Sequence, residues 1–341
     1  MLVANENSQL VMANKARVGS EYTCPTCHQP VRLRHGKKMV AHFAHLPGAD
    51  CVMNEGETAE HLLGKQQLFD WLVLHNLAPG LEVYLPQINQ RPDILFNNGG
   101  VQTAIEFQCS PLSVQRLRER NGGYRQLEII PVWVLGKPYR RRLSRAKIAQ
   151  FTQVFGGQPA ILYWNTQQAR FEYQQGYYYC SFSKKRLTAE RIIRRQSLAL
   201  SRPNVRQAAI SHLVFSSNVA LSCCPLVCHD TVPSWPVTNS ELIYWRIAVV
   251  LYLGRQPLFA MWKASTWQHL LTQLGQPFWL DFTCLDNGLN QSAISCLTTD
   301  LQRAGVIKKY SDHLVLCRHP KWFNSLEAKL AAITDYYSAM A

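Results

Sequence analysis

"RPDILFNNGGVQTAIEFQCSPLS", residues 91–113, is the stretch on which the reading of this chain turns. Asp93 opens a short apolar run, an Asn/Gly turn follows, and Glu106 sits inside a second apolar run with Gln108 two positions on. Two such runs about "NNGG" predict a β-hairpin. Over 101–108 alternate side chains share a face, so Glu106 and Gln108 point one way while Ile105 and Phe107 point into the core. Asp93, at the far end of the preceding strand, comes near Glu106. Converging carboxylates repel unless a divalent cation neutralises them, and Mg²⁺ or Mn²⁺ held by Asp93 and Glu106 would polarise a phosphodiester for hydrolysis.

The flanks add to this. "AEHLLGKQQLFDWLVLHN", from residue 59, places Leu62, Leu63, Phe69, Leu72 and Val73 at helical spacing. That helix offers Glu60 as a third carboxylate, with His61 and Lys65 on a neighbouring part of its surface. "EVYLPQI" (82–88) reads as a strand, "SVQRLRERNGGY" (113–124) as a helix stopped by "NGG", and "EIIPVWVLG" (128–136) as a buried strand. The order helix, strand, strand, strand, helix, strand predicts an α/β core with a mixed sheet. Taken alone, the D-x12-E-x-Q spacing is weak and favours an ordinary hairpin. The surrounding acidic, histidine and arginine-bearing helices favour a site.

Before this core, residues 1–20 alternate as a short hairpin, and "CPTCHQPVRLRHGKKMVAHFAHLPGADC" (24–51) offers Cys24, Cys27, His42, His45 and Cys51. A C-x2-C pair on a tight turn with further ligands on an element that folds back is a structural Zn²⁺ pattern, four of these five closing the shell. Reduced core cysteines are the plainer alternative. The later "CCPLVCHD" (223–230) lacks a distant partner pair and reads as core or loop.

The net charge of +14 is concentrated. Residues 137–206 hold fifteen Lys and Arg against Glu172 and Glu190, a field that attracts a polyanion such as DNA. Candidate DNA contacts are Arg116, Arg118 and Arg120 on the second helix and Arg140, Arg141, Arg142, Lys184, Lys185, Arg186, Arg194 and Arg195 beyond it. A solvated surface is the plainer reading of such a run. With 47% hydrophobic and 17% charged residues the chain is globular rather than disordered. Its longest strongly apolar run, "IAVVLYL" (247–253), is too short to span a bilayer, and eleven cysteines without a secretory pattern argue against a disulfide scaffold. A cytosolic protein is expected.

The domains expected are an N-terminal β-hairpin and zinc segment (1–57), a nuclease-like core (58–165), a basic extension (166–206) and a mainly helical C-terminal domain (207–341). In the last, "ELIYWRIAVVLYLG" and "LNQSAISCLTTDLQRAG" read as helices and "VIKKYSDHLVLCR" as two short strands, so a winged helix is one option.

"CPTC", "HFAH", "AEHLLGK", "YLPQINQRPDILF", "AIEFQCSPLSVQRLRER" and "VWVLG", in this order, resemble the competence protein CoiA family over residues 1 to about 200. The resemblance implies a restriction-endonuclease-like, PD-(D/E)xK-type core behind a zinc-binding segment. It also implies a cytosolic role in recombining single-stranded or branched incoming DNA during natural transformation, beside a RecA-type recombinase and other competence proteins. By position, Asp93 and Glu106 take the acidic places, Glu60 the acid of the first helix, and Gln108 the place of a lysine. A neutral Gln orients water but supplies no positive charge, a loss of about 3 kcal/mol of transition-state stabilisation or roughly a hundredfold in rate, for which Lys65 is a candidate to compensate. A non-catalytic DNA-binding recombination accessory is the rival reading, and a defence or repair endonuclease a third.

Overall fold

The computed structural model describes the chain except residues 37–38, 50, 52–56, 142, 176–187, 203–209, 211–218, 233, 286–287 and 339–341. It divides into two units, Met1–Gln175 with Thr283–Leu285, and Gly176–Phe282 with Asp286–Ala341.

The first unit begins with a five-stranded antiparallel sheet of β1 (Val3–Glu6), β2 (Gln9–Met12), β3 (Tyr22–Thr23), β4 (Pro30–Arg34) and β5 (His42–His45), in the order β2-β1-β3-β4-β5. The expected N-terminal hairpin is β1–β2, with Asn7 and Ser8 at positive φ in its turn. The helix α1 (Ala59–Leu74) follows, capped by Thr58, whose hydroxyl accepts from His61 N at 3.2 Å.

Around α1 lies a mixed sheet of β6 (Gly80–Leu81), β7 (Ile94–Asn98), β8 (Val101–Gln108), β9 (Ile130–Leu135), β10 (Gln153–Phe155), β11 (Gln158–Asn165) and β12 (Arg170–Gln175). Its spine runs β6-β7-β8-β9-β11, antiparallel from β6 to β8 and parallel from β8 through β9 to β11. The predicted hairpin is β7–β8, turning on Gly99 and Gly100 at φ +60° and +91°, a conformation that glycine adopts without a Cβ penalty. Ile94, Ile105, Phe107 and Val134 pack with Leu62, Leu68 and Leu72 of α1. The other face of β8 carries Ala104, which clusters with Tyr124 of α2 (Val114–Gln126) and Ile129. A further helix, α3 (Arg145–Phe151), starts on its Ser144 cap. This is the mixed-sheet α/β core expected from the sequence.

Two local expectations are corrected. "EVYLPQI" is not a strand: after Leu81 the chain bends, Glu82 sits at φ +52°, and Leu85 and Gln90 make only an isolated bridge across a turn. The buried Glu82 carboxylate accepts from Leu2 N at 3.0 Å and from Lys65 at 2.5 Å, contacts that fix the bend, and Pro86 has no N–H for a ladder. Nor does "NGG" stop α2, which continues to Gln126. Gly123 is there for space, since a Cβ would lie 2.2 Å from Gln90 Nε2.

The second unit holds α4 (Ala189–Leu200), two 3-10 turns at Leu221–Cys223 and Leu226–Cys228, α5 (Leu242–Gly254), β13 (Met261–Lys263), α6 (Ala264–Leu274), α7 (Asn290–Arg303), β14 (Ile307–Tyr310), β15 (His313–Leu316) and α8 (Leu326–Ser338). From α5 to β15 the order is helix, strand, helix, helix, strand, strand, with the sheet ordered β13-β15-β14, which is the winged-helix arrangement. The cysteines of "CCPLVCHD" are core: Cys223, Cys224 and Cys228 are buried, and Lys329 donates to Cys224 Sγ at 3.3 Å. The stretch expected as one basic extension is divided, β12 pairing in the first unit and α4 lying in the second. Among the described residues no helix is long and apolar enough to cross a membrane.

In α1, Gly64 faces Phe107, whose ring would lie 2.1 Å from a Cβ. Gly64→Ala should lower stability by about 1–3 kcal/mol through overpacking, despite alanine's better helix propensity. A thermal melt that rises in Tm would contradict this packing.

Candidate active site

A pocket of about 310 Å³ opens where α1, the start of β7, the end of β8 and the β4–β5 hairpin meet; Glu57, His61, Lys65, Asp93, Glu106 and Gln108 are among the residues lining it. Asp93 immediately precedes β7, and its Oδ2 accepts from Phe107 N at 2.8 Å, which locks the carboxylate to the β8 backbone. The same oxygen lies 3.1 Å from His61 Nε2, and His61 Nδ1 lies 3.4 Å from Glu57 Oε1. Glu57, His61 and Asp93 each offer one ligand atom, all within 4.8 Å of one another.

Beneath them Lys65 is 1% exposed. Its ammonium donates to Glu57 and Glu82 and lies 3.5 Å from Asp93 Oδ1. Burial opposes its charge, yet the three carboxylates outweigh that and hold it protonated. For Asp93 and Glu57 burial likewise works toward the neutral acid, but His61 and Lys65 depress both well below the usual carboxylate range. Burial disfavours the His61 imidazolium, and Asp93 and Glu57 reverse this, pushing its pKa up to about 9.

Glu106 borders the same pocket and feels the charge of Asp93, but its hydrogen bonds go elsewhere. Asp93 turns toward α1, whereas Glu106, on the opposite face of β8 from Phe107, turns toward α2 and accepts from Arg120 Nη2 and Tyr124 Oη. Burial raises its pKa, against Arg120. Gln108 lines the pocket, and its Nε2 donates to Ser110 O at 2.7 Å. Glu60 does not join the cluster: its carboxylate accepts from Lys137 N at 2.6 Å and borders a second cavity. Glu57, in the linker ahead of the α1 cap, stands where Glu60 was expected. The only sequence signal for it is its i,i+4 spacing to His61.

In the N-terminal sheet Cys24, Cys27, His45 and Cys51 bring their ligand atoms within 4.8 Å of one another. The knuckle "CPTCHQ" turns with His28 at φ +59°, and Thr26 N–H points at Cys24 Sγ at 3.4 Å. Cys27 Sγ lies 3.3 Å from His45 Nε2. Three sulfurs and one imidazole, partly buried and converging, fit a closed tetrahedral Zn²⁺ shell. His42 is outside it, three residues from His45 and so on the other face of β5, where its Nδ1–H donates to Val40 O at 3.0 Å.

The expected DNA contacts fare unevenly. Arg120 is engaged by Glu106; Arg116 pairs with Glu119, Arg140 with Glu172 and Arg194 with Glu190. Arg118, Arg141 and Arg195 are exposed. Arg142, Lys184, Lys185 and Arg186 lie outside the described residues.

Two family models match the chain: "Competence protein CoiA, nuclease-like domain" over residues 57–211, and "Competence protein CoiA, N-terminal domain" over residues 5–54. A curated relative, the competence protein CoiA of Bacillus subtilis (strain 168), is 35% identical over 124 residues, covering 36% of this chain. The matched region spans a third of the relative's length (33%). No solved structure matches the chain.

Two outcomes follow from the geometry. In protein kept free of divalent metal at the pocket, the His61 ring should titrate near pH 9 by NMR, and Asp93→Asn should bring it back toward its ordinary 6.5. Because the folded-state pKa is the higher one, this ion pair stabilises the fold fully below about pH 6.5 and its contribution fades as pH rises through about 9. In the N-terminal sheet, His45→Ala should release zinc, measured by a chromogenic chelator, while His42→Ala retains it; equal loss in both would contradict the four-ligand assignment.

Proposed function

The chain belongs to the competence protein CoiA family, and on that premise we propose that it is a divalent-metal-dependent deoxyribonuclease acting on single-stranded or branched DNA in natural transformation. The observation that carries the reading is the convergence of Glu57, His61 and Asp93 at one open pocket. Mg²⁺ or Mn²⁺ bound by those three would supply Lewis-acid stabilisation of the charge that develops on a phosphodiester during hydrolysis.

The chain's own residues do the rest. Lys65 is a positioning residue: at 1% exposure it does not offer its charge to a phosphate, but it holds Glu57, Glu82 and Asp93 ionised and aimed. As a ligand His61 must be neutral, so its proton leaves on metal loading. Gln108, neutral and lining the pocket, orients water. Glu106, bound by Arg120 and Tyr124, fixes α2 against β8, so the metal set expected from Asp93 and Glu106 moves to Asp93 with Glu57 and His61. A cytosolic setting, zinc in the N-terminal sheet, and work beside a RecA-type recombinase belong to the same proposal and rest on the family.

One observation favours the rival reading of a non-catalytic DNA-binding accessory. Lys65 and a protonated His61 already offset much of the charge of the three carboxylates without an added cation. Calorimetric titration with Mn²⁺ separates the two, since a pure binder gives no binding that Asp93→Ala abolishes.

With Mg²⁺ or Mn²⁺, single-stranded and branched oligonucleotides should be cut, and Asp93→Ala or Glu57→Ala should slow cutting about a hundredfold or more. Glu60→Ala should leave the rate within a few-fold. Cleavage that survives Asp93→Ala sinks the nuclease reading.

A further inference from the structure

The β4–β5 hairpin has two faces with different chemistry. In the register Val31↔His45, Arg32↔Ala44, Leu33↔Phe43 and Arg34↔His42, cross-strand partners share a face. Val31 and Phe43 are buried in the core of the N-terminal sheet, Leu33 packs against it, and His45 belongs to the cysteine cluster. Arg32, Arg34, His42 and Ala44 occupy the opposite face; Arg34, His42 and Ala44, together with Phe43 and His45 of the first face, line the pocket that holds Glu57, His61 and Asp93. Arg32 and Arg34 are exposed, and among the described residues neither has a carboxylate partner.

Arg116, Arg120, Arg140 and Arg194 are paired with acids, whereas Arg32 and Arg34 share this free state with exposed arginines such as Arg141 and differ from them in standing on a strand beside the pocket. Two arginines at i and i+2 along a strand are ~7 Å apart. This stride is comparable with that between successive phosphates of an extended single strand, and each guanidinium can take phosphate oxygens in a bidentate fork. His42 shares the face but not the role: its Nδ1–H donates to Val40 O, which leaves Nε2 of the neutral ring an acceptor, so the two arginines carry the phosphate contacts.

We propose that the outer face of the β4–β5 hairpin, through Arg32 and Arg34, binds the backbone of a single DNA strand and leads it to the Glu57, His61 and Asp93 cluster. The inference rests on the nucleic-acid reading above. It gives the zinc-type segment a part in substrate binding, because ligands on one face set the position of arginines on the other.

The test is fluorescence anisotropy of a labelled oligothymidylate with the full chain, without added Mg²⁺ or Mn²⁺, over a salt series. Arg32→Ala/Arg34→Ala should weaken binding about tenfold and make the log–log salt slope shallower by about 1.4, the value for two lost single-strand phosphate contacts. Zinc content and Tm should stay at wild-type values, since the ligands lie on the other face. Lys15→Ala/Arg17→Ala, which removes the same charge elsewhere in the segment, should have little effect. Unchanged binding in the Arg32/Arg34 variant overturns the proposal, as does an equal loss in the Lys15/Arg17 control, which would reduce the effect to net charge. A wild-type chain that binds through Arg32 and Arg34 yet takes up no Mn²⁺ upholds this surface and removes the nuclease reading. Mn²⁺-dependent cleavage with arginine-independent binding does the reverse.

Discussion

The ammonium of Lys65, buried among the carboxylates of Glu57, Glu82 and Asp93, is the constraint around which the first unit is arranged. Removing such a charge from water costs several kcal/mol unless well-placed opposite charges and hydrogen bonds compensate. The three acids come from three separate places in the chain: the linker before α1, the bend after β6 and the position before β7. Each must be in place for the lysine to be tolerated. Glu82 also accepts from Leu2 N at 3.0 Å, so the same network fastens the N-terminal sheet to the α/β core.

From this follows the division of labour between the two carboxylates that the sequence set side by side. Asp93 belongs to the lysine and histidine on α1, and Glu106 to the arginine and tyrosine on α2. A sheet separates the environments of groups on its two faces even where they border one opening, so one acid is held strongly ionised while burial raises the other. The β4–β5 hairpin likewise divides its chemistry between two faces, with His45 of the cysteine cluster on one and Arg32 and Arg34 on the other.

Much of this was legible because the signals are local. Strand alternation, the "NNGG" turn and the C-x2-C knuckle each act over a few residues and appear as expected, while of the apolar positions expected along α1, Leu62 and Leu72 are buried, Leu63 and Phe69 are half-buried and Val73 is exposed. What escaped depends on distant partners. Glu57 precedes the helix cap, so no periodicity marks it, and its role appears only once Asp93 is folded against His61. Gly123 has the composition of a stop but serves to admit Gln90. "EVYLPQI" has the composition of a strand, and a buried ion pair bent it. The exclusion of His42 from the cysteine cluster needed only the odd spacing to His45 and could have been read in advance.

The β7–β8 turn carries a practical corollary. Gly99 and Gly100 are exposed and contact nothing a side chain would meet, while Asp93 lies at the opposite end of β7, five strand residues or ~16 Å away. A loop tip of that kind accepts inserted sequence at small thermodynamic cost. It is therefore a natural port for a spectroscopic label or a purification handle, one that reports on the hairpin carrying Asp93 without intruding on the carboxylates at its base.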